Sequence, residues 1–213
     1  MLRDEDKTAI QNRLNDLANP VEVKLFTQKV MATCQYCEDT EKLLQEVADL
    51  SPSLSVKVLN FVNDKDDVET YKIDKIPAIV LEGEEDFGLR FYGIPAGYEF
   101  ATFLDTLIRV SKGEHELEAD SLEKIASLTQ PIHIQVFVTP TCPYCTRAAA
   151  TAYQLAMSNP HITADVVEVS EFPQLAQKYG VMGVPKVVIN ETHSFEGALP
   201  ESAFVDEVLG TVY

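Results

Sequence analysis

Four cysteines are the residues of this sequence best suited to chemistry, and they fall into two pairs of the form Cys-x-x-Cys. Cys34 and Cys37 enclose Gln-Tyr, whereas Cys142 and Cys145 enclose Pro-Tyr. Two thiols at this spacing can form and reopen a disulfide, or they can supply two ligands to a zinc ion. The pairs therefore predict redox chemistry, with a metal site and a permanent structural disulfide as the alternatives.

The helix formers that follow each pair suggest how the cysteines are positioned. On the first turn of a helix, residues three apart have alpha carbons about 5 to 6 Å apart, a distance that a disulfide accepts. Free N–H groups and the positive end of the helix dipole stabilise a thiolate there and lower its pKa from about 8.5. We expect Cys34 and Cys142 to attack, and Cys37 and Cys145 to resolve the mixed disulfide.

A zinc site is the weaker interpretation of the cysteine spacing. Zinc takes four ligands, yet the two pairs are 108 residues apart. The four histidines show no ligand-like spacing to either pair: His115, His133, His161 and His193. We expect no metal and no bound cofactor, and the redox groups would be the disulfides Cys34–Cys37 and Cys142–Cys145.

The spacing of other residues repeats along with the cysteines. "YKIDKIP" (71–77) and "YGVMGVP" (179–185) each end in an apolar-Pro pair 43 residues after the first cysteine of their copy. Further downstream, Phe91 and Gly93 recur as Phe195 and Gly197. An internal duplication explains these matches, and it makes Ile76-Pro77 and Val184-Pro185 part of the repeated site.

Hydrophobic periodicity predicts the same element order in both copies. That order is helix, strand, Cys-x-x-Cys, helix, strand, helix, Pro, strand, strand, helix. The polar stretch "SKGEHELEAD" (111–120) separates the copies. We predict an α/β protein of two domains, residues 1–115 with the CQYC site and residues 116–213 with the CPYC site.

Composition and charge exclude several functions. The 213 residues carry a formal net charge of −17, and both halves are acidic, which makes nucleic acid and anionic membranes poor partners. No stretch is apolar enough to span a bilayer, and the N-terminus lacks the apolar core of a signal peptide. These features predict a cytoplasmic protein, in a reducing compartment where paired cysteines are usually catalytic or metal-binding.

On these motifs the chain resembles the thioredoxin superfamily. The tetrapeptide "CPYC" is the active-site sequence of glutaredoxins, and a tandem of "CQYC" and "CPYC" resembles the protein disulfide oxidoreductases of thermophilic archaea and bacteria. The resemblance implies two thioredoxin-fold domains, each with a mixed central sheet flanked by helices. It also implies an enzyme that reduces, forms or isomerises protein disulfides.

The same resemblance assigns roles around the cysteines. Pro77 and Pro185 would be cis, and the backbone at Ile76 and Val184 would bind an extended substrate segment. The CPYC site would carry more of the activity. A thioredoxin reductase would recharge the protein, with NADPH as the indirect electron source.

Other candidate residues leave alternatives open. Tyr36 and Tyr144, between the cysteines, either contact the substrate or are simply exposed turn residues. The buried acid of thioredoxins would stand six residues before the first cysteine, where this chain has Val136. Glu168 is the alternative proton acceptor, although a solvated strand end also explains it. The Gly-Gly and nearby Asp with which glutaredoxins bind glutathione are missing.

Two other functions fit the sequence. One is an electron-relay module resembling the tandem thioredoxin-fold part of peroxide-reducing flavoproteins, with a peroxiredoxin as the partner. The other is a non-catalytic metal-binding or chaperone scaffold. Both cysteine pairs are present, whereas relay modules usually lose one, so the oxidoreductase is the preferred interpretation.

Overall fold

The computed structural model describes residues 1–28 and 34–212 of the chain. The element order matches the prediction in both copies. The first copy contains α1 (Asp4–Leu14), β1 (Val21–Thr27), α2 (Cys37–Ala48), β2 (Leu54–Asn60), α3 (Lys65–Thr70), β3 (Ala78–Glu82), β4 (Leu89–Tyr92) and α4 (Tyr98–Lys112). The second contains α5 (Ala119–Ile125), β5 (Ile132–Val138), α6 (Cys145–Ser158), β6 (Ile162–Glu168), α7 (Pro173–Lys178), β7 (Lys186–Ile189), β8 (His193–Glu196) and α8 (Glu201–Leu209).

Each copy builds a mixed sheet with the same topology. In the first copy the strand order is β2-β1-β3-β4, with β1 and β2 parallel and the other neighbours antiparallel. The order β6-β5-β7-β8 repeats this arrangement in the second copy. The predicted fold of mixed sheets with flanking helices is therefore confirmed.

Apolar strands at the centre of each sheet form the cores. Leu25 and Phe26 on β1 and Val136 and Phe137 on β5 are completely buried. Both strands begin with apolar and polar residues in alternation and then continue with the buried apolar pairs Leu25-Phe26 and Val136-Phe137. The ends of β1 and β5, which lead to the cysteine pairs, are therefore anchored in the buried core of each copy.

Helix α6 packs closely because its buried face is made of small residues. Four alanines are at most 2 % exposed: Ala148, Ala149, Ala152 and Ala156. Small side chains let a helix backbone approach a sheet, and alanine, the best helix former, recurs through the helix that starts at Cys145. The sequence of α6 therefore fixes the second cysteine at a defined place relative to the sheet.

The chain divides into two compact units. The first unit comprises residues 1–86, 90–95 and 103–113, and the second comprises 87–89, 96–102 and 114–213. The first residues of α4 thus belong to the second unit, although the sequence places them in the first copy. The predicted boundary near residue 115 stays a prediction. Within the described ranges, no helix combines the length and the apolar composition needed to cross a membrane.

Candidate active site

Both Cys-x-x-Cys pairs form disulfides. The alpha carbons of Cys34 and Cys37 are 5.5 Å apart, and those of Cys142 and Cys145 have the same separation. Each leading cysteine is 8 % exposed, whereas Cys37 is 3 % and Cys145 is 0 % exposed. The leading residue of each pair is therefore the more exposed one, as an attacking and resolving pair requires.

The helices begin at the second cysteine of each pair. The residue before each helix is a tyrosine without a side-chain capping bond, Tyr36 before α2 and Tyr144 before α6. The leading cysteine of each pair therefore stands just before the helix, and the second cysteine is the first helical residue. At the second site, the Sγ and the carbonyl oxygen of Cys142 accept the Cys145 N–H at 3.2 and 3.3 Å and so cap the helix.

The loop before the second proline lies directly against the second disulfide. Ile76-Pro77 and Val184-Pro185 are both cis peptide bonds, which confirms the expectation drawn from the family. The carbonyl oxygen of Val184 is 3.7 Å from the Sγ of Cys142. The Pro185 carbonyl accepts the Gly197 N–H at 2.8 Å, and the Pro77 carbonyl accepts the Gly93 N–H at 2.9 Å. Val184 and Pro185 are therefore brought together with the second cysteine pair.

The two tyrosines between the cysteines differ in exposure. Tyr144 is 69 % exposed, whereas Tyr36 is partly buried. The carbonyl of Tyr36 also accepts the N–H and the hydroxyl of Thr40, at 2.8 and 2.7 Å. A substrate contact for either ring stays a prediction, and Tyr144 is the better placed of the two.

Glu168 is buried at the end of β6, with a local partner for each carboxylate oxygen. It is 3 % exposed, and its two oxygens accept the N–H groups of Ser170 and Glu171 at 3.2 and 3.1 Å. These bonds close the turn after β6, so the carboxylate has a structural task. Its suggested role as a proton acceptor stays a prediction.

The charges around the two helix starts differ. The first turn of α2 contains Glu38 and Asp39, whereas that of α6 contains no acid and has Arg147 instead. A hydrogen bond from Lys42 lowers the pKa of Glu38 and keeps it ionised. The guanidinium of Arg147 donates to the Ala198 carbonyl. Because acidic neighbours oppose a thiolate and a basic one favours it, the second pair is the better electrostatic site.

The described residues contain no group of three or more His, Cys, Asp or Glu side chains arranged to hold a metal ion. The site is thus built from sulfur atoms, a helix start and a cis-proline loop. A model of the thioredoxin domain matches residues 22–104 and 132–210, which together cover most of the chain. This chain belongs to the thioredoxin family.

Solved structures with the same tandem thioredoxin fold align over nearly the whole chain. A protein disulfide oxidoreductase from Aeropyrum pernix is 33 % identical, with a TM-score of 0.89, covering 98 % of this chain and 92 % of that one. The alkylhydroperoxide reductase AhpF from Enterococcus faecalis is 23 % identical, with a TM-score of 0.88, over 97 % and 99 % of the two chains. The similarity to the Enterococcus faecalis protein shows a shared fold and nothing more.

Curated relatives of this thioredoxin-family chain are longer proteins. An alkyl hydroperoxide reductase of Staphylococcus aureus is 23 % identical over 182 residues, which are 85 % of this chain and 33 % of that protein. An NADH dehydrogenase of Bacillus subtilis is 24 % identical over 154 residues, 72 % of this chain and 29 % of that protein. The chain spans about a third of the length of the curated relatives it matches.

Glu99 is a functional candidate that the sequence reasoning missed. It stands in the first turn of α4 within the second unit, is 1 % exposed, and neither carboxylate oxygen has a hydrogen-bond partner. Burial raises its pKa from the ordinary 4.5 to about 7. A buried carboxyl that titrates near neutral pH is typical of an acid–base group. Glu99 stands four residues before the buried Phe103, a spacing that puts both on one face of the helix, and this could have indicated that Glu99 is buried.

The residues beside Glu99 are attached to the loop of the second site. The Tyr98 N–H donates to the carbonyl of Pro140 at 2.9 Å, two residues before Cys142. Gly97 permits this approach, because a Cβ atom on it would lie 2.8 Å from the Pro140 carbonyl carbon and closer still to its oxygen. The start of α4 and the CPYC loop are therefore one packed assembly within the second unit.

Proposed function

We propose that this protein is a thiol–disulfide oxidoreductase that acts on disulfides of other proteins through both of its Cys-x-x-Cys sites. The observation that carries the proposal is the second disulfide, whose leading sulfur receives a helix N–H and lies 3.7 Å from the carbonyl beside a cis proline. The same residue types recur around the first disulfide. The family and the 33 % identity to a protein disulfide oxidoreductase support the same activity.

Reduction of a substrate proceeds in two exchanges. The thiolate of Cys142 attacks one sulfur of the substrate disulfide, so that bond breaks, a mixed disulfide forms and one substrate thiolate leaves and takes up a proton. Cys145 then loses its proton and attacks Cys142, which releases the second substrate thiol. Two electrons pass from the protein dithiol to the substrate, and the reverse sequence forms a disulfide.

Glu99 is proposed as the group that handles the proton in the second exchange. Cys145 is fully buried, so bulk water is a poor acceptor for its proton. A carboxyl with a pKa of about 7 is present in both protonation states at neutral pH and can therefore accept and return a proton. The position of Glu99 corresponds to Ala203 in the second copy, so the repeat supplies no second carboxyl of this kind.

The electron supply and partners are proposed from the family and the relatives. A thioredoxin reductase would return the disulfides to dithiols, with NADPH as the distant reductant. The predicted cytoplasmic location fits this supply, because the compartment is reducing. Protein disulfides are the proposed substrates.

An insulin-reduction assay tests the function and the division between the sites. We expect Cys142→Ser to lose most of the activity, because its site has the more favourable charges and Glu99, and Cys34→Ser to keep most of it. The double variant should fall to the rate of dithiothreitol alone, since no attacking sulfur remains. Undiminished turnover by the double variant would overturn the proposal.

A second candidate is electron relay to a peroxiredoxin. It is favoured by the match to the N-terminal domain of the Enterococcus faecalis reductase, which covers 98 % of this chain and 100 % of that one. A relay module would reduce a peroxiredoxin disulfide much faster than insulin. An oxidoreductase of broad specificity would reduce both.

A further inference from the structure

The loops before the two cis prolines carry side chains of opposite character. In the first unit the residue three before the proline is Asp74, whose side chain is 73 % exposed and is paired with Lys75. In the second unit the corresponding residue is Met182, which is 92 % exposed. The two sites therefore offer a substrate different surfaces at the same position.

Open space surrounds Met182. It is followed by Gly183, and a Cβ atom built on Gly183 would have no atom within 4 Å beyond the adjacent residues of the chain; the same holds for Gly180. The thioether side chain is thus neither covered by nor packed between neighbouring side chains. Met182 stands two residues before Val184, whose carbonyl oxygen lies 3.7 Å from the Sγ of Cys142.

Exposed apolar side chains are concentrated at the second site. Among the residues that the structure describes, six large hydrophobic side chains are exposed: Met1, Val58, Val62, Tyr98, Tyr144 and Met182. Tyr144 lies between the cysteines, Met182 in the proline loop, and Tyr98 on the segment bound to Pro140. Single exposed hydrophobic residues are ordinary, but three on segments that adjoin one reactive disulfide favour a binding surface.

Of the residues that the structure describes at the first site, those equivalent to Tyr144 and Met182 are not exposed apolar side chains. Tyr36 is partly buried, and Gln35 replaces Pro143. Lys75 lies with its Nζ 3.7 Å from the centre of the Tyr92 ring, and that ring is 1 % exposed and therefore offers no surface to a substrate. Asp74 adds a negative charge, which opposes the approach of an apolar segment because the carboxylate must lose its water.

We infer that Met182 is a specificity-determining residue, and that the CPYC site selects cysteines in extended segments with uncharged, apolar side chains. Met182 and Tyr144 contact the side chains that flank the substrate cysteine, while the backbone at Val184 aligns the segment. A flexible thioether adapts to side chains of many shapes, which suits a site for varied substrates. This inference rests on the proposed function, and it deepens that function by naming the substrate class.

The experiment compares two peptide disulfides of equal length on the full chain with Cys34→Ser and Cys37→Ser, so that only the CPYC site reacts. One peptide has leucine and phenylalanine beside its cysteine, and the other has glutamate at both positions. We expect the parent to prefer the apolar peptide in kcat/KM. Met182→Asp should lower that preference about tenfold, mainly through KM, because one apolar contact is lost and a charge introduced. Met182→Leu should retain the preference within about twofold.

A matched change at the other site completes the test. In a chain with Cys142→Ser and Cys145→Ser, Asp74→Met should raise the preference of the CQYC site for the apolar peptide. An unchanged preference in Met182→Asp, with exchange still proceeding, would overturn the inference and leave the proposed function standing. A parent that exchanges neither peptide would overturn both.

Discussion

The free energy of unfolding of the wild-type protein is expected to fall by about 3 kcal/mol between about pH 4 and about pH 8, and Glu99→Gln is expected to abolish this fall. Burial raises the pKa of this carboxyl to about 7 in the folded protein, from the ordinary 4.5. Below about pH 4.5 both the folded and the unfolded chain hold the proton. As the pH rises toward 7 the unfolded chain loses its proton first, so stability falls, and above about 7 the loss is complete.

Guanidinium denaturation of the oxidised protein at a series of pH values measures this effect as the difference between wild type and Glu99→Gln. The matched control is Glu168→Gln, which replaces another buried carboxylate. Because Glu168 accepts two backbone N–H groups, its replacement should lower stability at neutral pH. A constant difference between wild type and Glu99→Gln over the whole pH range would contradict the assignment.

The same pair of variants separates the two proposed proton acceptors in kinetics. With only the CPYC site active, Glu99→Gln should slow the exchange in which Cys145 attacks, on the order of a hundredfold, since a positioned acid–base group is lost. Glu168→Gln should leave that step nearly unchanged. The reverse order of effects would assign the proton to Glu168 instead.

The second large effect is expected for Gly97→Ala. The added methyl group would lie 2.8 Å from the carbonyl carbon of Pro140 and clash with its oxygen, and the residue has a φ of +59°. We expect a loss of about 3 kcal/mol in stability, because overpacking adds to the strain of a non-glycine residue in the left-handed region. Exchange at the CPYC site should slow as well, since the start of α4 can no longer hold the Pro140 loop.

Gly180→Ala is the control for this prediction. Gly180 has a φ of +58° but nothing within 4 Å of a Cβ atom, so the change adds the backbone strain without the clash. Its cost should be about 1 kcal/mol. Equal losses in the two variants, by denaturation of the oxidised proteins, would show that the contact with Pro140 contributes nothing.

The sequence predicted those parts of the protein that repeat. The cysteine pairs, the prolines and the order of helices and strands occur twice at a constant spacing, and two agreeing copies outweigh the ambiguity of either one. The tyrosines and Val184 could be placed for the same reason. Periodicity also located β1 and β5, because apolar residues alternate with polar ones at the start of each strand and an apolar pair follows.

The features that the sequence did not show occur in only one copy. Glu99 corresponds to Ala203, so comparison of the copies gave it no support, and an acid in the first turn of a helix is usually solvated and stabilised by the dipole. Its burial depends on the start of α4 belonging to the second unit, a tertiary arrangement that no local pattern encodes. The close approach of Gly97 to Pro140 is likewise a contact between segments distant in sequence.

The capping of the helix at the second site is a local feature that the sequence did not show. Helix propensity and spacing predict a helix after each cysteine pair, but they do not say which groups accept its first N–H. In the structure the sulfur and carbonyl of Cys142 accept the Cys145 N–H, so the cysteine caps the helix from outside. One backbone N–H thus faces the leading sulfur of this site, and the predicted stabilisation of a thiolate keeps its physical basis.

Both cysteine pairs should act as reversible two-electron redox centres, and every proposed step depends on this property. It is measured by titrating the full chain against mixtures of oxidised and reduced dithiothreitol, with alkylation and mass analysis of each cysteine and an assay for bound zinc. We predict that four thiols appear and disappear in two pairs, reversibly and without release of metal. Cysteines that stay in one state across the titration, or a zinc ion bound in stoichiometric amount, would contradict it.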